Sequence, residues 1–459
     1  MIAPFSYSLS TILAVLNRVY NFSLYVDTAF TSITTSSKES KKGSLFVPLV
    51  WDRDGHLYIK DALDRGASGF LCKKDHPILK ELSIEEQNKA ILVRDTLHAL
   101  GTLANFHRNR FATYVVAITG SSGKTTTKDL LGSVFSYLPK KQVVVTEKNY
   151  NNEIGVPFTL FRITKDTRIA VVEMGMNHRG EIERLSKVAN PNATLITNIG
   201  SAHIENLKSP KEIANEKLDI TKGMVGDRTL FVPDDLNFLN LAKTRAKKEK
   251  WKLVTWRQSK SSSLKIVKTN PGGFVLSLYG KDVTWNLPGT KLLSNVRGVI
   301  ACAEFLNIPK DAIVNAIQKY KSPDKRLNIK KSKYTIIDDS YNANPESMAS
   351  SIEAAAQMAG KKNLVWVLGD MKELGSFSKH YHREIGKLIS RFPNGNLYTY
   401  GKDSKEISKV VSGGEHFTDR EKLIEHIRTN VSKGSVILIK GSRSMKMEEI
   451  AESLYRIKT

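Results

Sequence analysis

The chain has 459 residues, the length of about three domains, and its two cysteines, Cys72 and Cys302, are too few for a disulfide framework or a four-ligand zinc site. A composition of 41% hydrophobic and 25% charged residues is that of a globular protein. With no apolar run near the roughly 18 residues that span a bilayer, and no basic residue ahead of the short apolar run 12–16, the fibrous, secreted and membrane-spanning classes drop out and a soluble, cytoplasmic chain is expected. Seventy Lys plus Arg against 46 Asp plus Glu leave a net charge of +24, a field that favours anionic partners such as nucleic acid, anionic membrane surfaces, or small molecules bearing phosphate and carboxylate.

In chain order, residues 44–50 read as a strand, 59–66 as a short helix, and 70–71 and 90–93 as further strands. Asp95 is placed to cap a helix carrying Leu97, Leu100 and Ala104 on one face. Tyr114-Val115-Val116-Ala117-Ile118 is continuously apolar, as a buried parallel strand should be, and a helical pattern with Leu130, Leu131, Val134 and Leu138 follows it. Strands at 169–172 and 193–196 alternate with helical segments to about residue 325, which implies βαβ units and a covered parallel sheet. The basic run Lys243, Arg245, Lys247, Lys248, Lys250 and Lys252 fits an anionic partner and equally a solvated face. A second alternating block has strands at 334–337, 364–368, 397–400 and 436–439. Without repeats or low-complexity segments, the expectation is three α/β domains, over residues 1–105, 106–324 and 325–459.

Between the strand at 114–118 and its helix lies Thr119-Gly120-Ser121-Ser122-Gly123-Lys124-Thr125-Thr126. Glycines let backbone amides converge on phosphate oxygens, and the helix amino terminus adds partial positive charge. Lys124 would reach the terminal phosphates and the Thr125 hydroxyl would hold Mg²⁺. The glycine spacing is shorter than the standard phosphate-loop pattern, which would put glycine where Ile118 stands.

Ligands in open parallel sheets bind beyond the carboxyl ends of the strands, and Glu173, Asn198, His203, Asp338 and Asp339 fall at such ends. Glu173 with Thr125 and phosphate oxygens makes a plausible shell for a hard cation, whereas a loop histidine such as His203 is commonly a structural hydrogen-bonder. In the amide-rich loop Asn149-Tyr150-Asn151-Asn152-Glu153, the side chains of Asn149, Asn151 and Asn152 either grip a polar substrate or bond their own backbone.

Together these elements resemble the Mur ligases of bacterial cell-wall synthesis, over nearly the whole chain. The resemblance is carried by the phosphate loop, by residues 149–157, by Glu173-Met174-Gly175-Met176, and by Asn198-Ile199-Gly200-Ser201-Ala202-His203. It is carried further by Asp338-Asp339-Ser340-Tyr341-Asn342-Ala343-Asn344-Pro345, Leu368-Gly369-Asp370-Met371-Lys372-Glu373-Leu374-Gly375 and Lys440-Gly441-Ser442-Arg443-Ser444-Met445. The last three point within the family to the branch that adds D-alanyl-D-alanine to UDP-N-acetylmuramoyl-tripeptide. The resemblance implies a first domain for the UDP-sugar, a central ATPase domain and a Rossmann-like carboxyl-terminal domain. It implies ATP and two Mg²⁺, with Thr125, Glu173, His203 and a carbamylated Lys217 as metal ligands and Lys124, Lys217 and His203 as catalytic groups. Asn295 would contact adenine, and Arg326 and Asp339 would approach the phosphates and ribose. Two positions depart from the family pattern: Lys291-Leu292 where His-Asn is usual, and Ser36-Ser37-Lys38 where Asp-Ser-Arg marks the UDP-sugar site.

The chemistry implied is transfer of the ATP γ-phosphoryl to the tripeptide carboxylate, followed by attack of the dipeptide amine, by a monomer that binds no nucleic acid. Rival readings are a ligase for another amino acid, a nucleic-acid-stimulated NTPase, and a regulatory nucleotide-binding protein. For the NTPase the sequence offers basic charge but no recognisable nucleic-acid module.

Overall fold

The structure is a computed structural model that describes residues 1–17, 28–256, 263–322, 325–392 and 394–456. Its strands form four sheets. β1 (Ile2–Ser8), β2 (Ala29–Thr34), β3 (Ser44–Phe46), β4 (Gly69–Lys73) and β5 (Ala90–Val93) lie in sequential order, antiparallel between β1 and β2 and parallel thereafter. The strand expected to reach residue 50 stops at Phe46: the Val47 amide still donates to the Thr34 carbonyl, but Pro48 has no amide hydrogen to continue the ladder.

Asp95 caps the helix Thr96–Asn109 as expected, accepting a hydrogen bond from the His98 amide at 2.7 Å. The buried face carries Leu100, Leu103, Ala104 and His107, with Leu97 only half-buried. Residue 105 lies inside this helix, which packs both on the helix Leu9–Leu16 beside the first sheet and on the helices Gly155–Leu160 and Glu181–Ala189 beside the second. Arg108, buried, ties its end to the Ala189 and Asn190 carbonyls.

The second sheet contains β6 (Tyr114–Thr119), β7 (Val143–Val145), β8 (Ile169–Glu173), β9 (Ala193–Ile196), β10 (Thr229–Pro233) and β11 (Lys252–Trp256). All pairs are parallel, in the order β11-β10-β9-β6-β8-β7. The alternation expected up to residue 325 breaks off here. β12 (Leu264–Asn270), β13 (Gly273–Leu278) and β14 (Lys281–Trp285) form an antiparallel meander instead. Tyr279 and Gly280 join β13 to β14 with φ of 53° and 78°, the sign pattern of the two-residue hairpin turn that suits twisted strands.

The fourth sheet holds β15 (Asn328–Lys331), β16 (Thr335–Asp338), β17 (Leu364–Gly369), β18 (Gly395–Tyr400), β19 (Glu415–Phe417) and β20 (Val436–Lys440), in the order β15-β16-β20-β17-β18-β19. The four strands read from the sequence form the interior of this sheet. The short strands β15 and β19, which the sequence reading missed, are its polar edges. The expected boundary between 324 and 325 borders residues 323–324, which lie outside the described residues. Gln357, on the helix Pro345–Ala359, accepts from the Gly289 amide and donates to the Asn270 and Gly273 carbonyls, so one side chain of the fourth sheet's layer grips backbone groups of the meander and its exit. Among the described residues no helix is long and apolar enough to cross a membrane. Both cysteines are buried and free.

Leu438 on β20 is fully buried between β16 and β17. Leu438→Ala should cost about 2–5 kcal/mol, seen as a lower urea midpoint for the third layer with unchanged far-UV circular dichroism.

Candidate functional site

β6 lies between β8 and β9, so the chain leaves it first toward one edge of the sheet and later toward the other. Such a switch point opens a crevice at the carboxyl ends of the strands. The loop after β6, Glu173 ending β8, and Thr197 and Asn198 after β9 all line one cleft of about 730 Å³. The fourth sheet's layer closes it from above with Arg326, Asp339, Asn344, Glu346 and Glu373.

One side chain shapes the loop. The Asn198 Oδ1 accepts from the amides of Ser121 and Ser122 at 3.1 and 3.0 Å, and its Nδ2 donates to the Ser122 hydroxyl at 2.8 Å. Ser121 and Ser122 therefore face Asn198. The amides open to an anion are those of the first turn of the helix Lys124–Val134, which have no partner within the helix. Gly123 caps that helix at φ 78°, and a side chain there would meet the Asn295 amide at 2.6 Å, so only glycine lets Asn295 close over the loop. The Lys124 Nζ folds back onto the Gly120 carbonyl at 2.8 Å. Burial lowers its pKa; Glu173 opposes that effect, Arg326 adds to it and Glu373 opposes it.

Glu173 is buried, with Oε1 held by the Asn151 Nδ2 at 2.7 Å and Oε2 lacking any hydrogen-bond partner among the described residues. A buried, unpaired carboxylate oxygen in the cleft that Thr125 also lines suits a hard divalent cation. His203 also lines the cleft; its Nδ1 lies 2.7 Å from the Glu373 Oε2, close but poorly aligned for a hydrogen bond. Burial holds the imidazole below its usual pKa, and Glu373 opposes. Both residues have left-handed backbones, φ 65° and 64°, a strained conformation for a side chain with a Cβ.

Lys217 departs furthest from its sequence appearance. On the helix Pro210–Leu218 it looks like a solvent-facing lysine, yet it is 1% exposed. Burial and the nearby charge of Lys124 push its pKa well below the ordinary value, against Glu346 and Glu216. No carboxylate among the described residues lies within 4.0 Å of its ammonium, and it sits behind the cleft wall instead of lining it.

Arg326 stacks on Tyr341, 4.1 Å from the ring centroid. Asp339, expected near ribose, has both oxygens engaged: Oδ1 accepts from the Leu327 amide, and Oδ2 from the Lys440 Nζ at 2.6 Å and from Ser351. It lines the cleft but chiefly anchors the segment that carries Arg326. Asn295, Lys291 and Leu292 line the same side of the cleft. Of the three loop amides, Asn151 holds Glu173 and Asn152 caps the amides of Ile154 and Gly155; Asn149 is exposed at the rim. Ser36, Ser37 and Lys38 lie outside the cleft, where the Ser37 hydroxyl lowers the Asp61 pKa. The basic run is a solvated helix face, with Arg245 paired to Asp219 and Lys252 lying over Phe305.

A second cluster, absent from the sequence reading, joins Asp54, His56 and His76. The His56 Nδ1 and the His76 Nε2 lie 2.7 and 2.9 Å from Asp54, and the remaining ring nitrogens accept from the Lys73 and Ile78 amides. Every ring nitrogen thus has a partner, and the network is a structural clasp. Burial works against ionisation of Asp54, yet the His56 amide and the two imidazoles bring its carboxyl down to about 2.

Comparison with known proteins matches residues 118–303 to the Mur ligase middle domain and residues 325–443 to the Mur ligase glutamate ligase domain. The chain is 34% identical over 441 residues to the UDP-N-acetylmuramoyl-tripeptide–D-alanyl-D-alanine ligase of Bacillus subtilis, covering 94% of each chain. The crystal structure of MurF from Acinetobacter baumannii superposes with a TM-score of 0.85 at 26% identity, over 99% of both chains. That of MurF from Thermotoga maritima in complex with ADP does so with a TM-score of 0.80 at 27% identity, covering 92% of this chain and 97% of the other.

Asn198→Ala would release the Ser121 and Ser122 amides and loosen the loop. Titration calorimetry should show ADP affinity weakened roughly tenfold, the worth of one or two hydrogen bonds, with the fold unchanged by circular dichroism.

Proposed function

The chain belongs to the Mur ligase family, and from that premise we propose that it joins D-alanyl-D-alanine to UDP-N-acetylmuramoyl-tripeptide in peptidoglycan precursor synthesis. It is an ATP-dependent, ADP-forming amide ligase. The observation that carries the reading is the meeting, in one cleft, of the phosphate loop and Glu173 with Arg326, Asn344 and Glu373 from the fourth sheet's layer.

A carboxylate is a poor electrophile at neutral pH, so amide formation needs activation. The tripeptide carboxylate oxygen attacks the ATP γ-phosphorus and ADP leaves, giving an acyl phosphate. The dipeptide amine, once it has given up its ammonium proton to solvent, attacks the carbonyl carbon; the carbon–oxygen bond to phosphate breaks, and the phosphate leaves carrying the second proton. Lys124, Arg326 and the amides opening the helix Lys124–Val134 offset the converging negative charge, the largest contribution expected of such a site. Gly120, Ser121, Ser122, Gly123, Thr125 and Thr126 shape the nucleotide seat, and Asn295 with Leu292 bounds the adenine side. Thr125, Glu173 and His203 would hold Mg²⁺, which when bound neutralises phosphate charge. Asp339 and Lys440 hold the Arg326 segment in place, so that closure of the upper layer excludes water.

The burial of Lys217 supports a carbamate there. A lysine held below its usual pKa presents a neutral amine, which takes up CO₂ and releases a proton to become an anionic oxygen ligand. Residues 1–105 serve the UDP-sugar, 106–324 the ATP and 325–459 the ligation step, with the helix Thr96–Asn109 bridging the first two. Asn149 faces the substrate at the rim, and the enzyme acts in the cytoplasm as a monomer. The positive net charge suits two polyanionic substrates.

Phosphate release from ATP and Mg²⁺ should require both UDP-N-acetylmuramoyl-tripeptide and D-alanyl-D-alanine and should track pentapeptide formation by mass spectrometry. Release that responded to another amino acid, or to nucleic acid, would overturn the specificity. Lys217→Ala should lose at least about a hundredfold in turnover, within the range for removing one electrostatic stabiliser, and recover part of it with a short carboxylic acid. A folded variant that no carboxylic acid rescues would remove the carbamate.

A further inference from the structure

Two cleft carboxylates, Glu173 and Glu346, keep a buried oxygen with no hydrogen-bond partner among the described residues. Glu173 belongs to the cation shell described above. Glu346 does not: it comes from the other side of the cleft, in the first turn of the helix Pro345–Ala359. Its Oε1 crosses to the central layer and accepts from the Ser201 amide at 2.7 Å and from the Ser201 hydroxyl at 2.9 Å. The approach is tight enough that a side chain on Gly200 would meet the Glu346 carboxyl carbon at 2.2 Å. Two donors hold one oxygen in place. The second oxygen, shielded from solvent, keeps unused lone pairs, and the Glu346 charge also bears on the buried Lys217.

An anion so placed repels ATP and the UDP-linked carboxylate alike. Of the three substrates in the reaction proposed above, only the amine arrives as a cation, bringing three N–H donors to a carboxylate that has acceptor capacity to spare. The position fits the order of events. Glu346 and its neighbour Asn344, whose Nδ2 donates to the Ser121 carbonyl at 3.0 Å, come to the phosphate loop only with the upper layer, so the amine seat is completed as the cleft closes. Resting on the ligase reading, we propose that Glu346 binds the ammonium of the incoming dipeptide through Oε2 and is thereby a specificity-determining residue for the amine substrate.

The test is Glu346→Gln, which keeps an oxygen for Ser201 and removes the charge. The KM for D-alanyl-D-alanine should rise roughly 10- to 100-fold, as expected for loss of a charge-assisted hydrogen bond. The KM values for ATP and for UDP-N-acetylmuramoyl-tripeptide, the Mg²⁺ activation curve and ADP affinity should stay within about twofold. Glu346→Asp, which keeps the charge and shortens the reach, should raise the same KM by a smaller factor, and it serves as the test if the Gln variant does not fold. An unchanged dipeptide KM would overturn the assignment. So would a shifted Mg²⁺ curve, which would make Glu346 a cation ligand or a counter-charge acting through Lys217, or a parallel rise in all three KM values, which would make it only a closure contact. Wild-type turnover that ignored the dipeptide would instead remove the ligase reading itself, and this inference with it.

Discussion

A buried lysine behind a cleft that already holds another sets the terms for this site. Lys217 is fully buried and Lys124 half-buried at the cleft; burial lowers both pKa values, and the charge of Lys124 lowers that of Lys217 further. A buried ammonium with a second cation nearby is costly in a low-dielectric interior, so the surroundings must supply anions or let a proton go. Glu173, Glu373, Glu346 and Glu216 are the fixed response, each acting on one of the two lysines. The mobile response is the substrate: phosphate and carboxylate groups bring the negative charge that the protein itself leaves incomplete. A carbamate on Lys217 would exchange one of the two cations for an anion, and its burial makes sense in those terms.

Closure follows from the same electrostatics. The fourth sheet's layer meets the phosphate-loop layer through polar contacts: Asn344 to Ser121, Glu346 to Ser201, Glu373 beside His203, and the Glu205 amide to the Glu373 carbonyl. Polar interfaces of this kind separate more easily than apolar ones. His203 and Glu373 face each other with left-handed backbones, so local strain sits where the two layers join, as is common where geometry serves function. Farther out, Gln357 grips three backbone groups of the meander and its neighbours, which gives the moving layer a fixed reference away from the chemistry.

The first sheet is built differently. Its clasp of Asp54, His56 and His76 satisfies every ring nitrogen and holds the loop that carries Trp51, an indole 64% exposed at the rim of the cleft. Positive charge is spread along solvated helix faces such as residues 243–250, while Arg245 and Lys252 pack against Asp219 and Phe305.

Periodicity and local spacing made much of the molecule readable from its residues. The interior strands β6, β8, β9, β16, β17, β18 and β20 are rich in apolar, β-branched or aromatic residues, the Asp95 cap stands next to its helix, and the phosphate loop is contiguous in sequence. Each is a short-range pattern that obeys backbone physics wherever it occurs. Short polar edges such as β15 and β19 carried no such signal. The meander did have one, in the two-residue turn at Tyr279 and Gly280, but alternation outweighed it. Family resemblance supplied Lys217; nothing in its own surroundings along the chain distinguished it from a surface lysine. Only the tertiary structure decided that Lys217 is buried beside Lys124, that Asn151 holds Glu173 and that Asn198 clamps the loop. It alone set Asp339 to anchoring the Arg326 segment, and left one oxygen of Glu346 buried without a partner. Burial, partner and charge environment are sums over residues distant in sequence, so a side chain's chemistry is settled when the layers close around it, after its local structure has already been determined.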